Sequence, residues 1–242
     1  MTTTTHKTTA LVTGANKGLG LETVRRLAAL DWTVWLASRD VEAGEKAVAE
    51  VLADSPDADV RHVPLDVTSD ESVAAAYATV GAAGTGLDVL INNAGIAGAG
   101  KATVETVPSD FLGVYGVNVL GPVRVTHAFL PLLQASNHPR LVMVSSGLGS
   151  IALNNDPERD ESHVPGLVYQ SSKAALNMIA NQYAKALPEV RVCSVDPGYT
   201  ATDLNGFSGH QSVTEGTDAI VTAASADEVP GPHFDRYGVS PR

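Results

Sequence analysis

Thr9-Ala10-Leu11-Val12-Thr13-Gly14-Ala15-Asn16-Lys17-Gly18-Leu19-Gly20 is the stretch on which the fold turns. Its first five residues form a short apolar run that reads as a buried strand. Glycines follow, and from Gly18 onward Leu21, Val24, Leu27 and Ala28 recur at helical three- and four-residue steps. A strand that passes through glycines straight into a helix has a physical use. The glycines let the backbone approach a pyrophosphate, and the N–H groups at the helix start stabilise its charge. The spacing is Gly-x-x-x-Gly-x-Gly, not the commoner Gly-x-Gly-x-x-Gly.

Working outward, the same alternation continues. Strands are expected at Thr33–Ala37, Val60–Leu65, Leu87–Ile91, Leu141–Ser145 and Val190–Val195. Between them lie helices at Val41–Leu52, from the capping Ser69 to about Ala82, within Pro108–Leu133, and at Val168–Ala186. A less regular end carries a helix near Glu215–Ala224 and a short strand around His233–Asp235. Strands separated by helices must run parallel, because each crossover returns the chain in the same direction. Continuous apolar strands, as opposed to alternating ones, are covered on both faces. No repeat, linker or composition break marks a second domain. The pattern predicts one α/β domain over residues 8–242, a Rossmann-type doubly wound parallel sheet of about seven strands with helices on both faces. Residues 1–7 are expected to be a flexible tail, and a ligand is expected beyond the carboxyl ends of the strands.

Composition narrows the function. The 242 residues carry 16 basic and 27 acidic side chains, a net charge of −11, which argues against nucleic acid as a partner. A hydrophobic share of 44% with 18% charged residues describes a globular protein and not a disordered one. No apolar run approaches the ~18 residues of a spanning helix, so no membrane partner is expected. The threonine-rich start, Met1 to Thr9, lacks an apolar signal core, and Cys193 has no partner for a disulfide; both suit a reducing cytoplasm. The seven histidines show no metal-ligand spacing, so no metal is expected. Two other nucleotide or ester chemistries can be set aside. Gly95-Ile96-Ala97-Gly98-Ala99-Gly100-Lys101-Ala102 nearly spells a P-loop, but Ala102 stands where a hydroxyl would hold magnesium, and its glycines read as a flexible loop. The absence of Gly-x-Ser-x-Gly argues against an α/β-hydrolase.

Tyr169-Gln170-Ser171-Ser172-Lys173 sets a phenol and an ammonium four residues apart, on one face of a helix. A free tyrosine has a pKa near 10 and exchanges protons poorly at neutral pH. A neighbouring ammonium stabilises phenolate, so Lys173 is expected to bring the Tyr169 pKa down. Together with the glycine-rich turn and Val144-Ser145-Ser146-Gly147, this resembles the short-chain dehydrogenase/reductase family over nearly the whole chain. Asn-Lys-Gly-Leu-Gly, Ala-Ser-Arg-Asp and Pro-Gly-Tyr-Thr-Ala-Thr-Asp-Leu-Asn look like its carbonyl-reductase-like members, as does the closing Gly-Pro-His-Phe-Asp-Arg-Tyr-Gly.

The resemblance implies roles. Ser146, with Ser145 as its substitute, would hydrogen-bond a substrate carbonyl; Tyr169 would donate the proton; Lys173 would hold the cofactor ribose; Asn118 would hold a water that relays protons to the lysine. Pro122 adds a physical reason for the last, since it has no N–H to offer the Asn118 carbonyl four residues back. Cofactor contacts are implied for Gly14, Asn16, Lys17, Gly18, Leu19 and Gly20, for Asp66 and Val67 at the adenine, and for Asn93, Ala94 and Gly95 in the central turn. Pro197 and Gly198 would lie against the nicotinamide, with Thr202, or else Thr200, at its carboxamide. Ser38 and Arg39 end the second strand where an acid would select NADH, and with Lys17 they favour NADPH.

Twenty-three positions separate Ser146 from Tyr169, more than in most members of the family. The extra residues fall at Asn154–His163, a polar acidic stretch that is either a lid on the substrate pocket or a surface loop. Asp203 to Gln211 is expected to cover the substrate or to be a plain loop. The function implied is NADPH-dependent reduction of a small-molecule aldehyde or ketone. An alcohol dehydrogenase or pathway-specific ketoreductase on the same scaffold, and a non-catalytic NADPH sensor, are the alternatives. Monomer and homo-oligomer both stay open.

Overall fold

Strand burial explains the architecture. In the computed structural model, which describes residues 7–241, β1 (Thr9–Thr13), β2 (Thr33–Ser38) and β4 (Val89–Asn92) are buried along their whole length. β5 (Arg140–Val144) and β6 (Arg191–Val195) are buried after their first residue. Such strands need cover on both faces, and helices supply it. β3 (Asp59–Pro64) lies at one edge and is only partly buried. The sheet order is β3-β2-β1-β4-β5-β6-β7-β8, with β7 at His233–Asp235 and β8 at Gly238–Val239. Pairing is parallel throughout until β7 meets β8 antiparallel, so the sheet has eight strands, one more than the sequence pattern predicts. The additional strand is a two-residue hairpin return with too little pattern to read.

Two cores result. On one face α1 (Gly18–Ala28) and α2 (Val41–Asp54) pack Val24, Leu27, Ala47 and Val51 against Ala10, Val12 and Ile91. On the other, α3 (Asp70–Ala82) packs Val73 and Val80 against Leu11, Leu90 and Met143. Asp40 and Ser69 cap α2 and α3, accepting from the N–H groups of Ala43 and Ser72 at 3.0 and 3.2 Å.

The helix expected within Pro108–Leu133 is not continuous. It divides into α4 (Ser109–Tyr115), a π turn over Gly116–Leu120, and α5 (Gly121–Gln134), and the Gly121 N–H reaches back to the Gly116 carbonyl. Pro122 accounts for the break: it cannot donate to Asn118, and its ring crowds that turn. After β5 come the short α6 (Ile151–Asn154), a 3₁₀ turn at Asp160–His163, and the long α7 (Val168–Ala186), which brings Leu176 and Ala180 to the second core. The short α8 (Val213–Gly216) and then α9 (Asp218–Ser225) close the first face. The proposed N-terminal tail, apart from Lys7, lies outside the described residues. Among the described residues no helix is long and apolar enough to cross a membrane. Strand order reverses between β1 and β4, and the crevice at their carboxyl ends is where such a sheet accepts a ligand.

Candidate active site

The first turn has the geometry of an anion cradle. Gly14 and Gly18 adopt φ of 62° and 55°, in the left-handed region. A Cβ on Gly20 would stand 2.6 Å from Asn93 Nδ2. Lys17, at the N-cap of α1, gives the helix no side-chain cap, and no acid occupies the first turn, so the N–H groups there suit an incoming phosphate. Thr13 secures the neighbouring turn: its Oγ1 accepts from the N–H groups of Asn93 and Ala94, each at 3.0 Å. Asn93 Nδ2 returns a bond to the Thr13 carbonyl at 2.8 Å. Gly14, Gly20, Asn93 and Ala94 are thus packed against one another at the carboxyl end of β1, and Leu19 lines the neighbouring cavity. The near-P-loop run after Gly95 is irregular, with Gly98 and Gly100 at positive φ, and a three-residue 3₁₀ turn (Thr103–Glu105) follows it in place of the α-helix a P-loop requires.

At the end of β2 the structure corrects one expectation. Ser38 Oγ donates to the Asp40 carbonyl at 2.8 Å, so in its 2.9 Å contact with His62 Nε2 the imidazole is the donor. Burial holds His62 below its ordinary pKa, consistent with that neutral ring. The Ser38 hydroxyl is therefore turned inward, and exposed Arg39 is left as the cation of this turn. Lys17 is ion-paired with Asp203 from the loop that follows Thr202. The Asp66 carboxylate is engaged by the N–H and hydroxyl of Thr68, which hold its pKa down, while the Val67 side chain packs in the core. The Thr200 hydroxyl is directed to the carbonyls of Pro197 and Gly198, whereas Thr202 reaches the first turn, its methyl 3.6 Å from a Cβ built on Gly18.

The four residues expected to carry proton chemistry converge. Lys173 Nζ donates to the Val144 carbonyl at 2.9 Å, and a Cβ on Gly95 would lie 3.6 Å from it and 3.5 Å from Asn118 Oδ1. Asn118 is fully buried. Its amide exchanges two 2.9 Å bonds with the main chain of Ile96 and donates to Ser172 Oγ at 3.1 Å. Ser172 in turn donates to the Tyr169 carbonyl at 2.7 Å, so the asparagine side chain braces the start of α7, a role the sequence reading does not contain. Ser146 lines the cavity together with Tyr169, and its Oγ accepts the Leu148 N–H at 3.2 Å. Ser145 is buried and points to the Lys173 carbonyl at 3.4 Å, which makes it structural.

Electrostatics here oppose the expected effect of Lys173. The Tyr169 phenol is pushed up to about 12 by burial, Ser146 being the group that draws it down and Asp196 adding to the rise. Burial brings Lys173 down to about 8 against the pull of Asp196. The ammonium sits 5.6 Å from the tyrosine ring centre, held by a carbonyl and not by the phenol oxygen. At neutral pH the pair is a protonated phenol beside a cation, which is a proton donor.

The insertion reaches this centre. A Cβ on Gly147 would fall 2.6 Å from Glu161 Oε1 and 2.7 Å from Asp196 Oδ2, so only glycine lets both carboxylates close on the serine turn. Glu158, Arg159, Asp160, Glu161 and Val164 all line a cavity of about 740 Å³ that Ser146 and Tyr169 share. Its far walls are Val114, Leu148, Pro165 and Tyr199, with Leu204 of the loop after Thr202. The acidic stretch is thus a wall of the pocket, and a floppy surface loop does not describe it. Neither Glu161 nor Asp196 figures among the residues picked out from sequence. Asp196 carries one signal, a charge that directly follows an apolar strand.

Comparison with known proteins bears on this arrangement. The sequence profile described as short chain dehydrogenase matches residues 8–212. The chain belongs to the short-chain dehydrogenase/reductase family. It is an oxidoreductase of the kind that acts on CH–OH and C=O groups with a nicotinamide cofactor. A short-chain dehydrogenase of Penicillium roqueforti is 36% identical, with 90% of this chain and 89% of that protein covered. The (+)-neomenthol dehydrogenase of Arabidopsis thaliana is 33% identical, with 96% and 97% covered. The crystal structure of NADPH-bound carbonyl reductase from chicken fatty liver has a TM-score of 0.85 at 28% identity, covering 98% of this chain and all of that one.

Proposed function

We propose that this family member is an NADPH-dependent carbonyl reductase that turns a small-molecule aldehyde or ketone into an alcohol. The observation that carries the reading is the convergence of three side chains: Ser146 and Tyr169 line one cavity, and the Lys173 ammonium lies 5.6 Å from the phenol ring centre. NADPH, when bound, would supply the hydride for the reduction. Ser146 and Tyr169 polarise the carbonyl oxygen, and Tyr169 gives it a proton. Lys173 holds the cofactor ribose and keeps positive charge near the phenol. The Asn118 main chain holds the water that returns a proton toward Lys173. Initial rates in both directions across a panel of carbonyls and alcohols separate this reading from an alcohol dehydrogenase on the same scaffold. A cofactor sensor would need only the nucleotide half of this arrangement. A single buried cysteine suits a reducing cytoplasm.

Preference for NADPH is supported by the exposed Arg39 that follows β2, a cation where an acid would select NADH. Initial rates at 340 nm with both reduced cofactors and a panel of carbonyl compounds test the whole reading, and a preference for NADH would overturn this part of it. Arg39→Asp is expected to move the kcat/KM ratio toward NADH by at least about tenfold, the scale of one lost charge-assisted contact of 1.5–3 kcal/mol. Deleting residues 154–163 removes the Glu161 wall and is expected to change KM or the range of carbonyls accepted. Kinetics identical to those of the full chain would show that this wall never meets substrate.

A further inference from the structure

Gln211 closes the loop that follows Thr202. It is 7% exposed and lines the cavity shared by Ser146 and Tyr169. Its main chain fixes it there: the Ala201 N–H donates to the Gln211 carbonyl at 2.9 Å, and the Gln211 N–H donates to the Tyr199 carbonyl at 3.1 Å. Asn205 steadies the same loop, its Nδ2 donating to the Thr200 carbonyl at 2.9 Å. The Gln211 side-chain amide lies against the Pro197–Gly198 turn. A Cβ on Gly198, whose φ is 72°, would stand 2.6 Å from Gln211 Oε1 and 2.9 Å from Nε2. Only Oε1 has a partner, the Thr200 hydroxyl at 3.4 Å. That hydroxyl has one hydrogen and two nearer acceptors, the carbonyls of Pro197 and Gly198 at 3.2 and 3.3 Å. Among the described residues the Nε2 donor meets no acceptor. Native proteins leave few buried amides in that state, because an unmade hydrogen bond costs stability.

We infer that Gln211 is a specificity-determining residue whose Nε2 donates to a second oxygen of the substrate, so that the pocket takes carbonyl compounds carrying a further hydrogen-bond acceptor in preference to hydrocarbon ketones. The kinetic part rests on the carbonyl-reductase reading; the placement of the amide does not. A substrate whose carbonyl reaches Ser146 and Tyr169 occupies the cavity that Gln211 walls. Val114, Leu148 and Leu204 offer such a molecule contact without direction. An apolar substrate would shut the amide hydrogens away unpaired, whereas an ether, hydroxyl or second carbonyl oxygen would satisfy one of them. A site with a donor of this kind discriminates because the penalty falls on the ligand that lacks the acceptor. The main-chain bonds at Tyr199, Thr200 and Ala201 hold the donor in place beforehand, which lowers the cost of making the contact.

The test uses a straight-chain methyl ketone of eight carbons and its analogues in which an ether oxygen replaces one methylene, position by position, from the fourth carbon onward. In the natural chain at least one analogue is expected to exceed the parent ketone in kcat/KM with NADPH. In Gln211→Met, which keeps the length and removes the donor, that ratio is expected to fall about fivefold, the scale of one hydrogen bond. Gln211→Glu, isosteric and also without the donor, takes its place if the methionine variant does not fold. A second readout needs no turnover: the Gln211 side-chain NH₂ signal in NMR, assigned with the variant, followed as each ketone is added with and without NADP⁺. It is expected to shift with the preferred analogue and not with the parent ketone. Equal ratios in the natural chain and the variant, with an unmoved NH₂ signal, would overturn the inference. So would a loss equal for every ketone and matched by weaker NADPH binding, which would assign the amide to the cofactor. A shifted NH₂ signal in a protein that reduces none of these ketones would uphold the Gln211 contact and refute the reductase reading instead.

Discussion

Tyr169→Phe is expected to lower kcat for carbonyl reduction by about 10³-fold, within the 10²–10⁴ span of a lost general acid, while NADPH binding survives. The argument is local. The ring stays in place, because phenylalanine keeps every apolar contact and α7 is braced from Asn118 through Ser172 to the main chain of residue 169. What disappears is the phenol hydrogen at the cavity that Tyr169 lines together with Ser146. An interaction made to the reacting oxygen alone lowers kcat and kcat/KM together and leaves cofactor affinity untouched. Cofactor fluorescence titration and steady-state rates measured on one preparation check both halves. Undiminished turnover in the variant would remove Tyr169 from the chemistry and leave the reductase reading without its donor.

Gly14→Ala is expected to weaken NADPH binding by at least about tenfold, or 1.4 kcal/mol, and to lower the melting temperature. Two costs combine. Residue 14 sits at φ 62°, where a side chain is strained by about 1–3 kcal/mol. The new methyl would also meet Ala94 Cα at 2.8 Å, and that atom is backbone held by the Thr13 hydroxyl, so it cannot swing aside as a flexible side chain could. The turn that must admit a phosphate then shifts as a unit. Isothermal titration with NADPH and a thermal melt would measure the effect; natural affinity and melting in the variant would show that the turn has slack.

The two substitutions differ in how far each was legible beforehand. The glycine-rich turn, the alternation of strands and helices, and the pairing of Tyr169 with Lys173 are all local in the chain. Periodicity, glycine spacing and a four-residue helical step report them because neighbours in sequence are neighbours in space. Element ends were less secure. Pro122 marked the disturbance near Asn118 but not its form, a π turn that leaves two helices where one was expected. β8, too short to show alternation, left no trace.

The charge states in the cavity belong to the other category. Residue order pairs Lys173 with Tyr169 and so suggests a lowered phenol pKa, yet in the folded chain the ammonium is turned to the Val144 carbonyl and burial dominates. Ser38 likewise occupies a position that suits a phosphate while its hydroxyl faces His62 and the Asp40 carbonyl. Glu161 and Asp196 lie far apart along the chain and meet only at Gly147. What the residues settled alone is therefore the doubly wound sheet, the family and the phenol–ammonium pair, since each depends on short-range spacing. Which carboxylates close on the serine turn, and that burial raises the phenol pKa where the pairing with Lys173 suggests a fall, was decided by tertiary packing. Desolvation and Coulomb interaction depend on distances through space, and no local pattern encodes those.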